Sequence, residues 1–208
     1  MAIETGLRES KKQETRRAIS DSATRLFIDQ GFERTTIAEI AAAARVAKKT
    51  VTNYFPRKED LALDHHEAFT ESLAGAVAGR APGESPFAAL GRAFRATLTE
   101  HSPVAGFTGP AFARMVADSP TLTARLRELH DLREAALAAA LASATPPDAP
   151  AIAPRAAAAL IAAADRLLFS RIQELTLAGH TNEEIEAVLT PEANHVYALL
   201  STSLTSYA

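Results

Sequence analysis

Residues 48 to 53 read Lys-Lys-Thr-Val-Thr-Asn, five polar side chains around a single apolar one. The chemistry this set can do is recognition of nucleic-acid bases. Lysine donates to the O6 and N7 acceptors of guanine, and asparagine pairs in bidentate fashion with N6 and N7 of adenine. Lys48, Lys49, Thr52 and Asn53 are therefore the base-reading candidates, provided one helix presents all four outward. Lysines on a helix ordinarily do no more than solubilise a surface, so the reading depends on the elements that position them.

Those elements are legible upstream. Thr36-Ile37-Ala38-Glu39 has the spacing of a capping box, in which hydroxyl and carboxylate each satisfy an orphaned backbone N–H, so a helix begins at Thr36. Ile37, Ile40, Ala41 and Ala44 follow at offsets of three, four and seven, giving one narrow apolar face about two turns long. After Arg45 and Val46 a second helix is predicted from about Lys48 to Phe55, with Val51, Tyr54 and Phe55 inward. Pro56 stops it. A helix, a tight turn and a second helix with a basic, hydrogen-bonding N-terminal turn make a helix-turn-helix, whose second helix enters the major groove.

At these residues the sequence resembles the DNA-binding segment of the TetR/AcrR (tetracycline-repressor-like) transcriptional regulators. The resemblance covers about Thr15 to Leu63. Its markers are Phe27, Gly31 and Phe32 closing a first helix, Thr35-Thr36 opening the second, Thr50 within the third, and Tyr54-Phe55 followed by Lys58. Three positions depart from the family pattern. Arg45 stands where a turn glycine is usual, Thr52 replaces a common tyrosine that touches phosphate, and Ala47 replaces a capping Ser or Thr at a cost of ~1 kcal/mol. The resemblance leaves Thr36, Thr50, Tyr54 and Lys58 as the phosphate contacts, which fix register without reading sequence.

Composition bounds the alternatives. The chain has 208 residues, 47% of them hydrophobic, enough for a folded core. It has no cysteine, which removes disulfides, thiolate chemistry and cysteine-based zinc sites and fits a reducing cytosol. Ala156 to Ala164 is interrupted by Asp165 and Arg166, no run reaches the ~20 apolar residues of a membrane span, and no signal-type apolar run opens the chain; a cytoplasmic protein is expected. The net charge of −3 is unevenly spread: residues 1–64 hold twelve Lys+Arg against ten Asp+Glu, and residues 65–208 hold ten against fifteen. All five lysines lie in the first part, where local charge governs attraction to phosphate.

Catalysis finds no support. His65, His66, His101, His130, His180 and His195 show no HExxH or His-x-x-x-His spacing, and adjacent His65 and His66 point about 100° apart on a helix. There is no glycine-rich phosphate loop and no GxSxG. No metal or cofactor is expected.

The remaining periodicity is helical throughout, predicting an all-α fold of about nine helices. A first helix runs from Lys11 to Gln30 on the stripe Ile19, Ala23, Leu26 and Phe27, with Gly31 as a left-handed C-cap. Residues 1 to 10 are expected to fray, with Arg8, Lys11 and Lys12 as an N-terminal arm to phosphate or minor groove. A fourth helix from Lys58 to about Ala78 would turn Leu61, Ala68, Leu73 and Val77 inward. Further helices are predicted at Phe87 to Glu100, Ala111 to Ala117, Thr121 to about Ser143, Pro154 or Arg155 to about Ala178, and Thr181 or Asn182 to Ser206. The long helix from Thr121 carries Leu122, Leu126, Leu129, Leu132, Leu137 and Leu141 on one face and Arg125, Arg127, Glu128, Arg133 and Glu134 on the other. Thr145 to Pro154 is a proline-rich loop. Domains are placed at 1–57 (helix-turn-helix), 58–78 (connecting helix) and 79–208 (effector binding and dimerisation).

The last two helices hold more apolar surface than one small domain can cover, since Ala157 to Leu168 is apolar nearly all round. A second subunit is the economical cover, and the resemblance implies a dimeric four-helix bundle there and an inverted-repeat operator. Phe94, Leu98, Phe107, Phe112, Met115 and Phe169, with His101, His130, Arg166 and Gln173, are the candidates for binding a mainly apolar small-molecule effector. Asp165 and Arg166 in an apolar helix each demand a partner or a ligand, and an acidic residue across the dimer would serve Arg166. The reading is a homodimeric, ligand-responsive regulator of transcription, a repressor by resemblance. Its alternatives are a constitutive or architectural helical DNA binder without an effector, and a helical enzyme or carrier that kept a reader domain.

Overall fold

The computed structural model describes residues 2–145 and 149–204, with side chains from residue 10 onward. Among these residues there are ten α-helices, one short 3-10 turn and no strand, as the all-α reading expects. Two compact units result: Met1–Asp64 with Arg114–Arg125, and His65–Ala113 with Leu126–Ala208.

The first unit contains α1 (Ala2–Gln30), α2 (Ile37–Ala43), α3 (Lys48–Tyr54) and α4 (Lys58–Ala62), joined by parts of α7 (Pro110–Asp118) and α8 (Pro120–Ala144). Ile19, Phe27, Phe32, Ile40, Val51, Phe55 and Leu61 form its buried core. α1 starts at Ala2 instead of fraying to residue 10, because Leu7 to Glu14 is rich in strong helix formers. Gly31 ends it with φ +90, and its N–H bonds Phe27 O at 2.9 Å.

The predicted helix from 58 to 78 is broken. α4 stops at Ala62, and α5 (His66–Ala78) begins after a three-residue gap. Neither proline nor glycine interrupts the sequence here; instead the Ser20 hydroxyl donates to Asp64 Oδ2 at 2.5 Å, a tertiary bond that holds this turn against α1. The break re-phases α5: Phe69 is buried and Ala68 exposed, so the inward position expected at 68 falls one residue later.

The C-terminal parts of this unit are tied in by polar groups. Ser119 Oγ donates to Glu33 Oε1 at 2.6 Å and accepts the Leu122 N–H that opens α8. Bonds from Ser119 and Thr121 hold the Glu33 carboxyl below the usual range. Arg125 Nη2 donates to Asp60 Oδ1 at 2.9 Å with both side chains nearly buried.

The second unit packs α5, α6 (Pro86–Thr99), the later turns of α8, α9 (Ala153–Leu177) and α10 (Asn182–Ser203). One cluster joins Leu73, Val77, Phe87, Leu90, Leu137, Leu141 and Ile161. A second joins Phe94, Leu98, Phe107, Ile172, Ile185 and Leu189. Thr181 and Glu184 close a capping box at the start of α10, and Gly179 has φ +91 between the two last helices. In the proline-rich loop, residues 146–148 lie outside the described set.

On α8 the expected faces are rotated. Leu132 is 48% exposed, whereas Arg133, assigned by pattern to the charged face, is 5% exposed. Its guanidinium reaches Asp165 Oδ2 on α9 at 2.5 Å, donates to Ser72 Oγ at 2.9 Å and lies 4.5 Å over the Phe69 ring. The buried carboxylate needs a cation more than the core needs one leucine.

Removing one member of such a pair leaves an uncompensated buried charge, which costs about 3 to 5 kcal/mol. Asp165→Ala is expected to lose that much in urea unfolding. The double variant Asp165→Leu/Arg133→Leu is expected to lose clearly less, because it buries no orphaned charge.

Candidate nucleic-acid interface and effector core

The helix-turn-helix is assembled from three local devices. Thr36 N–H donates to Glu39 Oε2 at 2.7 Å while Thr36 Oγ1 accepts from Glu39 N–H at 3.2 Å, so the capping box predicted at α2 is present. The Thr36 N–H holds the Glu39 carboxyl below its ordinary range. At the other end, Arg45 N–H bonds Ala42 O at 3.2 Å and Val46 N–H bonds Ala41 O at 2.9 Å, the paired bonds of a Schellman C-cap. Its left-handed residue is Arg45, φ +55, where glycine would carry no Cβ strain. Ala47 caps α3 with no side-chain hydrogen bond, as its methyl dictates.

Lys48, Lys49, Thr52 and Asn53 are all exposed on α3, while Val51 is fully buried. One helix thus presents the four base-reading candidates together. Thr52 Oγ1 donates to Lys49 O at 3.1 Å, which leaves its oxygen lone pairs open as acceptors. Of the phosphate candidates, Thr36 is exposed and Thr50 and Tyr54 are half-buried. Lys58 is turned inward: its ammonium sits 4.4 Å over the Phe32 ring and donates to Glu33 O at 3.4 Å. Burial lowers its pKa against the opposing pull of Glu33, Glu59 and Glu39.

Sequence reasoning missed Arg16. Its guanidinium lies 4.5 Å over the Phe55 ring and donates to Tyr54 O at 3.3 Å, fixing the C-terminal end of α3 against α1. The signal available was its place three residues before Ile19, on the flank of the α1 apolar stripe.

The effector candidates fall in several places. Phe94, Leu98 and Phe107 share one cluster, and His101 stacks on Phe107 at 5.0 Å while bonding Glu186 Oε2 at 3.0 Å. Gln173 Nε2 donates to Gly106 O and to Thr108 Oγ1. Phe169 and His130 meet edge to face at 5.2 Å, joined by Phe69 at 5.8 and 5.0 Å. Phe112 is half-buried. Met115 belongs to the first unit, apart from the other nine. Arg166 reaches Asp131 at 3.6 Å and Glu134 at 3.8 Å on α8, so its acidic partners lie within its own chain. Phe69 and Arg133 complete the aromatic group and were not singled out in the sequence; the unpaired Asp165 was the clue to Arg133. Among the described residues no set of His, Cys, Asp and Glu is arranged to hold a metal, and no helix is long and apolar enough to cross a membrane.

Large apolar side chains stand exposed among polar ones on α9 and α10. Leu160 and Leu167 on α9 and Leu199 on α10 are 47, 61 and 60% exposed. Between these helices lies a groove of 470 Å³ lined by Leu167, Leu168, Arg171, Pro191, Glu192, His195 and Val196.

Comparison with known proteins is consistent with this geometry. The family model of bacterial regulatory proteins, tetR family, matches residues 19–64, which hold the buried side of α1 and all of α2 to α4. The HTH-type transcriptional regulator TcmR of Streptomyces glaucescens is 35% identical over 143 residues, 66% of this chain and 63% of TcmR. The chain therefore matches less than two thirds of that relative's length. Among solved structures, the SmeT–triclosan complex is 18% identical with a TM-score of 0.58, covering 91% of each chain. GusR of Salmonella enterica is 18% identical with a TM-score of 0.56, covering 92% of this chain and 96% of its own. At these identities the structures show likeness of fold.

His130 supplies a measurable consequence. Burial, with Arg133 and Arg166 nearby, pushes its imidazole down to about 4 from 6.5. Between those values the unfolded chain binds a proton that the folded chain refuses, so stability must fall as pH drops from about 6.5 to about 4. Urea midpoints followed across that window are expected to fall less steeply in His130→Phe than in the parent chain; identical slopes would contradict the assignment.

Proposed function

We propose that this chain, which belongs to the tetR family of bacterial regulatory proteins, works as a homodimeric transcriptional repressor that a small-molecule effector releases from DNA. The observation that carries the reading is the outward set Lys48, Lys49, Thr52 and Asn53 on one short helix whose opposite side is buried. Inserted in a major groove, such a helix reads base edges through its exposed turn. Thr36, Thr50, Tyr54 and Lys58 serve as phosphate contacts, with Lys58 reached only by leaving the Phe32 ring.

Dimerisation is supported by the exposed Leu160, Leu167 and Leu199 and by the apolar groove beside them. A second copy placed on this face by a two-fold axis would cover both and would pair two readers with an inverted-repeat operator. A cytoplasmic site of action follows from that role.

An apolar effector fits the aromatic interior around Phe94, Leu98, Phe107 and Phe169, where His130 is held neutral and His101, Arg166 and Gln173 supply polar contacts. A triclosan complex of a protein with this fold is in keeping with such a ligand. Release works by population shift: the ligand favours a conformation whose reader spacing no longer matches successive grooves, by as much as its affinities for the two states differ.

The test is fluorescence anisotropy on duplexes flanking the chain's own gene, beside a scrambled duplex. Lys48→Ala and Asn53→Ala are each expected to cost ~1 to 3 kcal/mol on the operator and to relax preference at one base position, whereas Lys58→Ala weakens operator and scrambled duplex alike. Equal losses on both duplexes for all three variants would overturn the assignment of readers. Leu167→Glu is expected to yield a monomer in sedimentation and to lose operator affinity; an unchanged dimer would remove the α9–α10 face as the interface.

A further inference from the structure

Arg166 on α9 carries a polar atom that its own chain leaves unsatisfied. Its Nε is buried and has no hydrogen-bond partner, although a buried donor without an acceptor is both costly and rare. The outer end of the guanidinium is engaged only at a distance: Nη2 lies 3.6 Å from Asp131 Oδ1 and 3.8 Å from Glu134 Oε2. Those spacings are too long for hydrogen bonds. Both carboxylates belong to the solvent side, with the Asp131 side chain 74% exposed.

The groups on the buried side set the sign of what would satisfy Nε. Asp165, the neighbouring carboxylate, is taken by the Arg133 guanidinium. Burial keeps the Tyr197 phenol protonated. His130 is denied its proton by burial first and then by two cations, Arg133 and Arg166, so both guanidinium charges are felt at its ring. Phe169 stands three residues along α9, on the same side of the helix as Arg166, and meets His130 edge to face with Phe69 beside them. The interior thus offers aromatic rings, a surplus of positive charge and one donor without an acceptor.

We infer that the effector carries an oxyanion, a carboxylate or its equivalent on an aromatic skeleton, received by Arg166 Nε beside the rings of Phe69, His130 and Phe169. The inference deepens the effector reading above and rests on it. An oxyanion suits the site better than a neutral carbonyl, because a charge-assisted bond to guanidinium is shorter and stronger. A cationic ligand is disfavoured by the same charges that keep His130 neutral. Arg166 therefore selects, by charge, among molecules that the rings accept by their apolar surface.

The probe is anilinonaphthalene sulfonate, titrated by fluorescence into the full chain beside N-phenylnaphthylamine, which has the same aromatic skeleton without the sulfonate. Arg166→Met keeps an apolar stem and removes the donor. Arg171→Met removes an arginine from the groove between α9 and α10, the other apolar surface that would take up such a dye. Circular-dichroism melts check that each variant is folded, and Arg166→Lys, which keeps the charge without the Nε–H, serves if the Met variant is not. The parent is expected to bind the sulfonate roughly ten-fold more tightly than the neutral dye, a preference that charge-assisted hydrogen bonding is strong enough to supply. Arg166→Met is expected to abolish that preference and Arg166→Lys to reduce it, with the neutral dye's affinity unchanged in both and Arg171→Met behaving as the parent. Equal affinity of the parent for the two dyes, or a preference that survives both Arg166 variants, overturns the inference and leaves an apolar effector site in place. A preference lost in Arg171→Met overturns it too, by assigning the anion to the outer groove. A parent that binds neither dye overturns the effector reading itself.

Discussion

Two turns of helix do not hold themselves together in water, because nucleation costs more than so few hydrogen bonds return. α3 is seven residues long and has no side-chain cap, so the forces that keep it formed must come from outside it. Val51 and Phe55 supply them by burial, at 0 and 2% exposure, and Arg16 clamps the far end through the Phe55 ring and Tyr54 O. Burying one side of so short a helix decides the other: with Val51 inward, Lys48, Lys49, Thr52 and Asn53 have nowhere to point but out. The outward set of candidate readers is thus a by-product of core packing in α1 and α2.

The second unit depends on a different constraint, a carboxylate that cannot stay unpaired. Asp165 sits in an apolar helix at 7% exposure, where desolvation raises its pKa and the Arg133 guanidinium is the chief opposition to that rise. Meeting it draws Arg133 inward, turns Leu132 out and brings the Phe69 ring beneath the guanidinium. Phe69 then completes the aromatic group with His130 and Phe169. His130 is neutral in this company because a second cation beside Arg133 would be both buried and repelled. A polar pair at the heart of the proposed effector region is therefore what arranges its apolar walls.

Helices and their ends were legible in the sequence wherever a local rule fixed them: the box at Thr36, Gly31 after the first helix, and the outward side of α3, while the cap of α10 was narrowed to Thr181 or Asn182. The features that escaped were decided across the chain. The break between α4 and α5 is held by Ser20 bonding Asp64, forty-four residues away, and no periodicity within 58–78 announces it. Hydrophobic pattern likewise sent Arg133 to the solvent side, since it scores each helix alone and cannot see Asp165 on the next. The effector set was drawn by composition, so it gathered Met115 from the other unit along with residues that do meet. Lys58 shows the same limit in the reader: its charge was plain, and the aromatic rings that hold it were not adjacent in sequence.

A net charge of −3 would seem ill suited to a polyanion, yet screening makes the sum over the whole chain almost irrelevant. At physiological salt a phosphate feels charges within about 8 Å, so the side chains that stand beside the groove decide the attraction. Residues 1–64 carry every lysine of the chain, and two of these lie on the exposed turn of α3. Under the proposed role, the acidic excess of residues 65–208 would disfavour contact of that part with phosphate and favour approach of a duplex to the helix-turn-helix. For the proposed dimer, charge asymmetry between the two parts, more than the charge of either, would restrict how it meets DNA.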